Sequence, residues 1–133
     1  MKLFDTHTHL NANQFDGIKA EIIENAKQQN VDYIAVIGFD EPTIHKSLAL
    51  SNQYSNILSV VGCHPTEAGN YNPEFERKLE EWLTLPKVKM LGEIGLDYYW
   101  MSDAKEVQEK VFRRQIAIAK EHNLPITIHN RDA

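Results

Sequence analysis

The segment Asp5-Thr6-His7-Thr8-His9 places a carboxylate and two imidazoles at alternate positions. In an extended strand alternate side chains point to one side, so these three share a face while Phe4, Thr6, Thr8 and Leu10 share the other. Further along lie His64 in Gly62-Cys63-His64-Pro65, Glu93 in Gly92-Glu93-Ile94-Gly95, and His129 in Ile126-Thr127-Ile128-His129. Neutral imidazole nitrogens with a carboxylate suit Zn, Mn, Fe or Ni, whereas a site meant only for Mg is usually richer in oxygen donors. A His-x-His pair alone is ambiguous, since such pairs are also found solvated or hydrogen-bonded to neighbours. Joint placement of the four positions is what favours metal binding.

That placement depends on the elements around them. Apolar spacing alternates between strand and helix patterns. After the first strand, Phe15, Ile18, Ile22 and Ala26 mark one face of a helix, and residues 31–38 read as a continuously apolar strand. Glu41 and Pro42 open a second helix carrying Ile44, Leu48 and Ser51 on its inner side, followed by a third strand at 56–62. Phe75, Leu79, Trp82 and Leu83 mark a third helix, with Trp82 assigned to the core, and residues 88–97 form a fourth strand. A longer helix from about Asp103 to His122 carries Val107, Val111, Ile118 and Ala119, before a fifth strand at 124–129.

Strands alternating with helices imply parallel pairing through right-handed crossovers, so the fold class is α/β, either an open doubly wound sheet or a (β/α) barrel. No Gly-x-Gly-x-x-Gly or phosphate-loop pattern follows a strand, which favours the barrel and its chemistry at the carboxyl ends of the strands. His7 and His9 close strand one, His64 closes strand three, Glu93 lies at the end of strand four and His129 at the end of strand five. Alternation repeats the face test: Thr127 and His129 oppose Ile126 and Ile128, and Leu91 and Glu93 oppose Met90 and Ile94.

The 133 residues fit one domain, and a formal net charge of -5 argues against nonspecific attraction to nucleic-acid phosphates or anionic lipid. An anionic substrate would need a local device such as bound cations. The lone cysteine, Cys63, cannot form an internal disulfide. Neither a charged-then-apolar leader nor a long apolar run is present, so the expected compartment is the cytoplasm, with no membrane and no obligate protein partner indicated.

The stretches FDTHTHLN at 4–11, GCHP at 62–65, GEIGLDYY at 92–99 and PITIHNRDA at 125–133 resemble the signatures of the TatD-type metal-dependent deoxyribonuclease family, within the amidohydrolase-like TIM-barrel superfamily. The resemblance runs the length of the chain. It implies a (β/α)8 TIM barrel of which residues 1–133 supply about the first five strands and four helices, the N-terminal portion of a single metal-dependent hydrolase domain. Barrels of this kind run to roughly 250 residues. The family barrel has three further strands bringing another histidine and an aspartate, so this chain is expected to be incomplete and to leave strands one and five as open edges.

The resemblance also implies two divalent metal ions (Zn, Mn or Mg), with His7 and His9 on one, His129 on the second, and Glu93 bridging them as the catalytic carboxylate. The activity implied is cleavage of DNA phosphodiester bonds by hydroxide activated between the two cations. His64 and Arg131 are candidates for substrate phosphate contacts, against loop capping for His64 and a surface Arg131–Asp132 pair for Arg131. Asp5 and Asp97 are candidates for hydrogen bonds that orient ligand histidines, with loop capping as the alternative. The aromatic run Tyr98, Tyr99 and Trp100 suits base stacking, although such runs more often pack on the barrel rim. Two rival functions remain: hydrolysis of a small amide, lactone or phosphoester with the same metals, and a catalytically incomplete fragment. Many amidohydrolases use a carboxylated lysine where this chain offers Glu93, which favours the nuclease.

Overall fold

The computed structural model describes residues 1–133. Its strands are β1 (Leu3–Thr8), β2 (Val31–Gly38), β3 (Ile57–Val61), β4 (Val88–Asp97) and β5 (Ile126–Arg131), and its helices α1 (Lys19–Gln28), α2 (Glu41–Gln53), α3 (Pro73–Leu83) and α4 (Lys105–Glu121). Short 3₁₀ segments span Asn13–Phe15 and Pro65–Asn70. All pairings are parallel, and each strand lies beside the next one in sequence, in the order β1-β2-β3-β4-β5. A doubly wound sheet reverses its order near the middle; this one does not, which is the pattern of a barrel wall.

The helices cover one face only. Ile34 and Val36 of β2 pack with Ile23 of α1 and Leu50 of α2, and Val61, Leu91 and Ile94 pack with Ile44 of α2, Leu79 and Leu83 of α3, and Ile118 of α4. Because α2 contributes to both clusters, both lie on the same side of the sheet. The alternate residues Ala35, Ile37 and Val60, joined by Met90, fill the opposite, inner face. Five parallel strands wrapped this way make a half-barrel. No helix is long and apolar enough to cross a membrane.

Local chemistry sets the boundaries. Asp40 caps α2 by accepting the Thr43 N–H at 2.9 Å while the Thr43 hydroxyl accepts the Asp40 N–H at 3.1 Å, and Asn72 caps α3 by accepting the Phe75 N–H at 2.8 Å. Four expectations need correction. The first helix begins only at Lys19, because Phe15 sits in a 3₁₀ turn and Gly17 at φ 83° breaks the path between them. His64 lies beyond β3, where it caps the 3₁₀ segment 65–70. Glu93 is inside β4 rather than at its end, and β5 continues past His129 to Arg131.

Candidate metal centre

Leu91 and Ile94 both pack against the helices, although strict alternation would send them to opposite faces. The register of β4 on β5 shifts between these two residues, so Glu93 points inward while Leu91 does not, contrary to the shared face expected for Leu91 and Glu93. The Gly92–Glu93 peptide within this interval is cis. Glycines permit the approach: a Cβ on Gly92 would overlap the Thr127 side chain, and one on Gly95, at φ 151°, would overlap the His129 carbonyl. Glu93 and His129 thus meet across β4 and β5. On β5 the expected alternation holds where it matters, with Thr127 Oγ1 reaching His7 Nδ1 at 3.4 Å on the inner face.

Glu93 is the hub. Its Oε1 lies 3.1 Å from His129 Nδ1, and its Oε2 lies 3.6 Å from His7 Nε2 and 4.0 Å from His9 Nε2. Two overlapping donor groups result, His7–His9–Glu93 and His64–Glu93–His129, in each of which the ligand atoms lie within 4.8 Å of one another. Asp97, 1% exposed, accepts from His129 Nε2 at 2.9 Å. An ionised carboxylate only accepts, so Nε2 carries the ring hydrogen and a neutral His129 turns the Nδ1 lone pair toward Glu93 Oε1. Two electron-pair donors converging in this way fit a divalent cation. Burial pushes the Asp97 carboxyl up, but hydrogen bonds from the Trp100 N–H, His129 and the Tyr99 N–H outweigh it and hold the carboxyl below its usual value. Burial, followed by the neighbouring His7, lowers the pKa of His9. Its neutral, ligand-competent form is favoured.

The weaker candidates separate by geometry. The Thr66 N–H donates to His64 Nδ1 at 3.2 Å, so a neutral His64 carries its hydrogen on Nε2 and presents a donor. Burial, reinforced by His129, lowers its pKa to about 4 and keeps it neutral. Arg131 shares a recess with His64, Glu93 and His129 and lies over the Tyr99 ring at 4.0 Å. Asp5 is exposed and turns back to accept the His7 backbone N–H at 3.3 Å, so the structure pairs it with no histidine ring.

Other contributors lay outside the sequence reading. Phe39 occupies the one strand end without a ligand-type residue, its ring 6.0 Å from those of both His9 and His64. That gap in the strand-end pattern was the signal. Buried Asn11 donates to the carbonyls of Ile37 at 2.8 Å and Thr43 at 2.9 Å, tying the segment after His9 to β2 and α2. Of the aromatic run, Tyr98 packs at the rim, with Lys105 4.3 Å from its ring centre, whereas Tyr99 and Trp100 are exposed.

The model of the TatD-related DNase family matches residues 4–133. An uncharacterized metal-dependent hydrolase, YabD, from Bacillus subtilis is 48% identical over 131 residues, covering 98% of this chain and 51% of that protein. The 3'-5' ssDNA/RNA exonuclease TatD of Escherichia coli is 29% identical over 131 residues, covering 98% of this chain and 50% of that protein. The crystal structure of a TatD homologue from Escherichia coli superimposes with a TM-score of 0.85 at 26% identity, over 98% of this chain and 51% of that one. A TatD family hydrolase from Entamoeba histolytica shares the fold, with a TM-score of 0.82 at 22% identity over 99% of this chain and 50% of that one. The chain spans about half the length of the curated relatives it matches. Matched by the family model over nearly its whole length, residues 4–133, the chain belongs to the TatD-related DNase family.

Proposed function

We propose that this chain carries the metal-binding face of a metal-dependent hydrolase that cleaves phosphodiester bonds in DNA. The observation that carries the reading is Glu93, whose two oxygens are divided between the His7–His9 pair and His129. In this reading His7 and His9 hold one divalent ion, His129 the second, and Glu93 both. Such ions supply Lewis acidity toward phosphate oxygens and toward water.

The chain's own residues supply the rest. Histidines hold cations without adding negative charge, which lets a chain of net charge -5 admit a polyanion at one point on its surface. Asp97 fixes the His129 ring through Nε2 and leaves Nδ1 for the ion. The Nε2–H of His64 donates to a phosphate oxygen, and the forked guanidinium of Arg131 holds the same or an adjacent phosphate. The names of the TatD relatives, 3'-5' ssDNA/RNA exonucleases, support unpaired ends as the substrate and extend it to RNA.

The test is metal analysis of the purified protein together with hydrolysis assays on single-stranded DNA, duplex DNA and RNA, with and without chelator. Chelator-sensitive release of nucleotides from single strands supports the reading. Hydrolysis of small amides or lactones in place of nucleic acid would assign the same residues to the amidohydrolase alternative, and absence of bound metal would remove the reading.

A further inference from the structure

Tyr99 and Trp100 are 54% and 62% exposed, although large aromatic rings ordinarily gain by burial. They are not loosely tethered. Asp97 Oδ1 accepts the N–H groups of Tyr99 at 3.1 Å and of Trp100 at 2.9 Å, while Oδ2 of the same carboxylate takes the His129 ring. One buried residue therefore fixes both the aromatic turn and a proposed metal ligand. The two rings meet nearly perpendicular, 4.9 Å between centroids, and the Arg131 guanidinium lies 4.0 Å from the Tyr99 ring centre and 5.6 Å from that of Trp100. Trp100 and Arg131 line a recess of about 400 Å³ together with His64, Glu93 and His129.

We infer that Trp100, buttressed by Tyr99 and Arg131, is a platform on which an unpaired nucleobase of the substrate stacks beside the phosphate held at the metal face. The inference rests on the proposed hydrolase reading and adds how the strand is gripped. An indole face offers no hydrogen-bond pattern to read, so stacking tolerates any base, but it requires a base free of its neighbours in a duplex. Arg131, positioned by the same ring pair, reaches the backbone on the phosphate side.

The experiment compares two fluorescein-labelled eight-nucleotide strands with hydrolysis-resistant phosphorothioate linkages, one of thymidine and one of abasic deoxyribose. Binding is followed by anisotropy in manganese. The wild-type protein binds the thymidine strand at least about fivefold more tightly than the abasic one, the lower end of one stacked base. Trp100→Ala abolishes this difference while leaving abasic-strand affinity and circular dichroism unchanged, and Trp100→Phe retains most of it. Equal affinity of the wild type for the two strands, or an undiminished difference in Trp100→Ala, overturns the platform while leaving the hydrolase reading standing. Failure of both strands to bind overturns the hydrolase reading and the platform with it.

Discussion

Gln115 Oε1 accepts the backbone N–H of Cys63 at 2.8 Å, and its Nε2 donates back to the Cys63 carbonyl at 3.0 Å. Gln108, on the same face of α4, does the same for Asp97, accepting its N–H at 2.8 Å and donating to its carbonyl at 3.0 Å. Each buried amide stands in for a missing strand neighbour where β3 and β4 give way to the segments bearing His64 and the aromatic turn. Helix α4 is therefore both a cover for the sheet and a splint for the site.

Gln115→Leu keeps the bulk and removes both hydrogen bonds, leaving a buried N–H and C=O unpaired at roughly 1–3 kcal/mol each. Urea unfolding should show a loss of this order, with the midpoint lowered and the slope preserved. An unchanged midpoint would mean that water or a shifted backbone satisfies Cys63.

Asp97→Ala frees the His129 ring and the N–H groups of Tyr99 and Trp100 together. Removing such a support typically weakens metal binding about 10–100-fold. Calorimetric titration with manganese or zinc measures it, and full affinity in the variant would contradict the orienting role.

Glu76 accepts from Arg114 through both oxygens, at 3.0 Å and 3.1 Å from Nε, and also takes the Tyr71 hydroxyl at 2.7 Å. Arg114 first, and Tyr71 after an opposing contribution from burial, hold the Glu76 carboxyl below its usual value. A carboxyl depressed in the folded state stabilises above its unfolded value and loses that stability as pH falls through the ordinary glutamate range and below. Solvent reaches the pair, with Arg114 also facing Glu121, so the contribution is about 1 kcal/mol or less. In thermal melts between neutral and acidic pH, Glu76→Gln should lose less stability on acidification than the wild type. Identical pH profiles would show that the pair is fully screened.

The strand–helix alternation was legible because buried parallel strands and amphipathic helices differ in apolar period, and β4 and α2 fall where that period puts them. His7, His9, Glu93 and His129 stood out in the sequence by residue type and alternation, and the structure gathers the three histidines around the Glu93 carboxylate although Glu93 lies inside its strand and not at its end. The facing of Glu93 was right only in outcome: its assumed partner Leu91 packs on the other side, since a register shift cannot be seen in a pattern of apolar residues. Gln108 and Gln115 were invisible for a related reason, because a search for apolar helix faces passes over buried amides whose partners are backbone groups. The role of His64 turns on Thr66 fixing its hydrogen, a contact that residue types alone do not reveal.

In the proposed centre, Glu93 joins the His7–His9 pair and His129 into one divalent-metal site, an arrangement open to direct measurement. It is tested most directly by titrating the protein with manganese or zinc and measuring heat and bound metal, alongside Glu93→Ala and the His7→Ala/His9→Ala double variant, with circular dichroism as a check on folding. Saturable binding by the wild type, its loss in Glu93→Ala, and loss of one metal position in the double variant are the expected outcomes. A folded Glu93→Ala protein that binds the same amount of metal with the same affinity would contradict it.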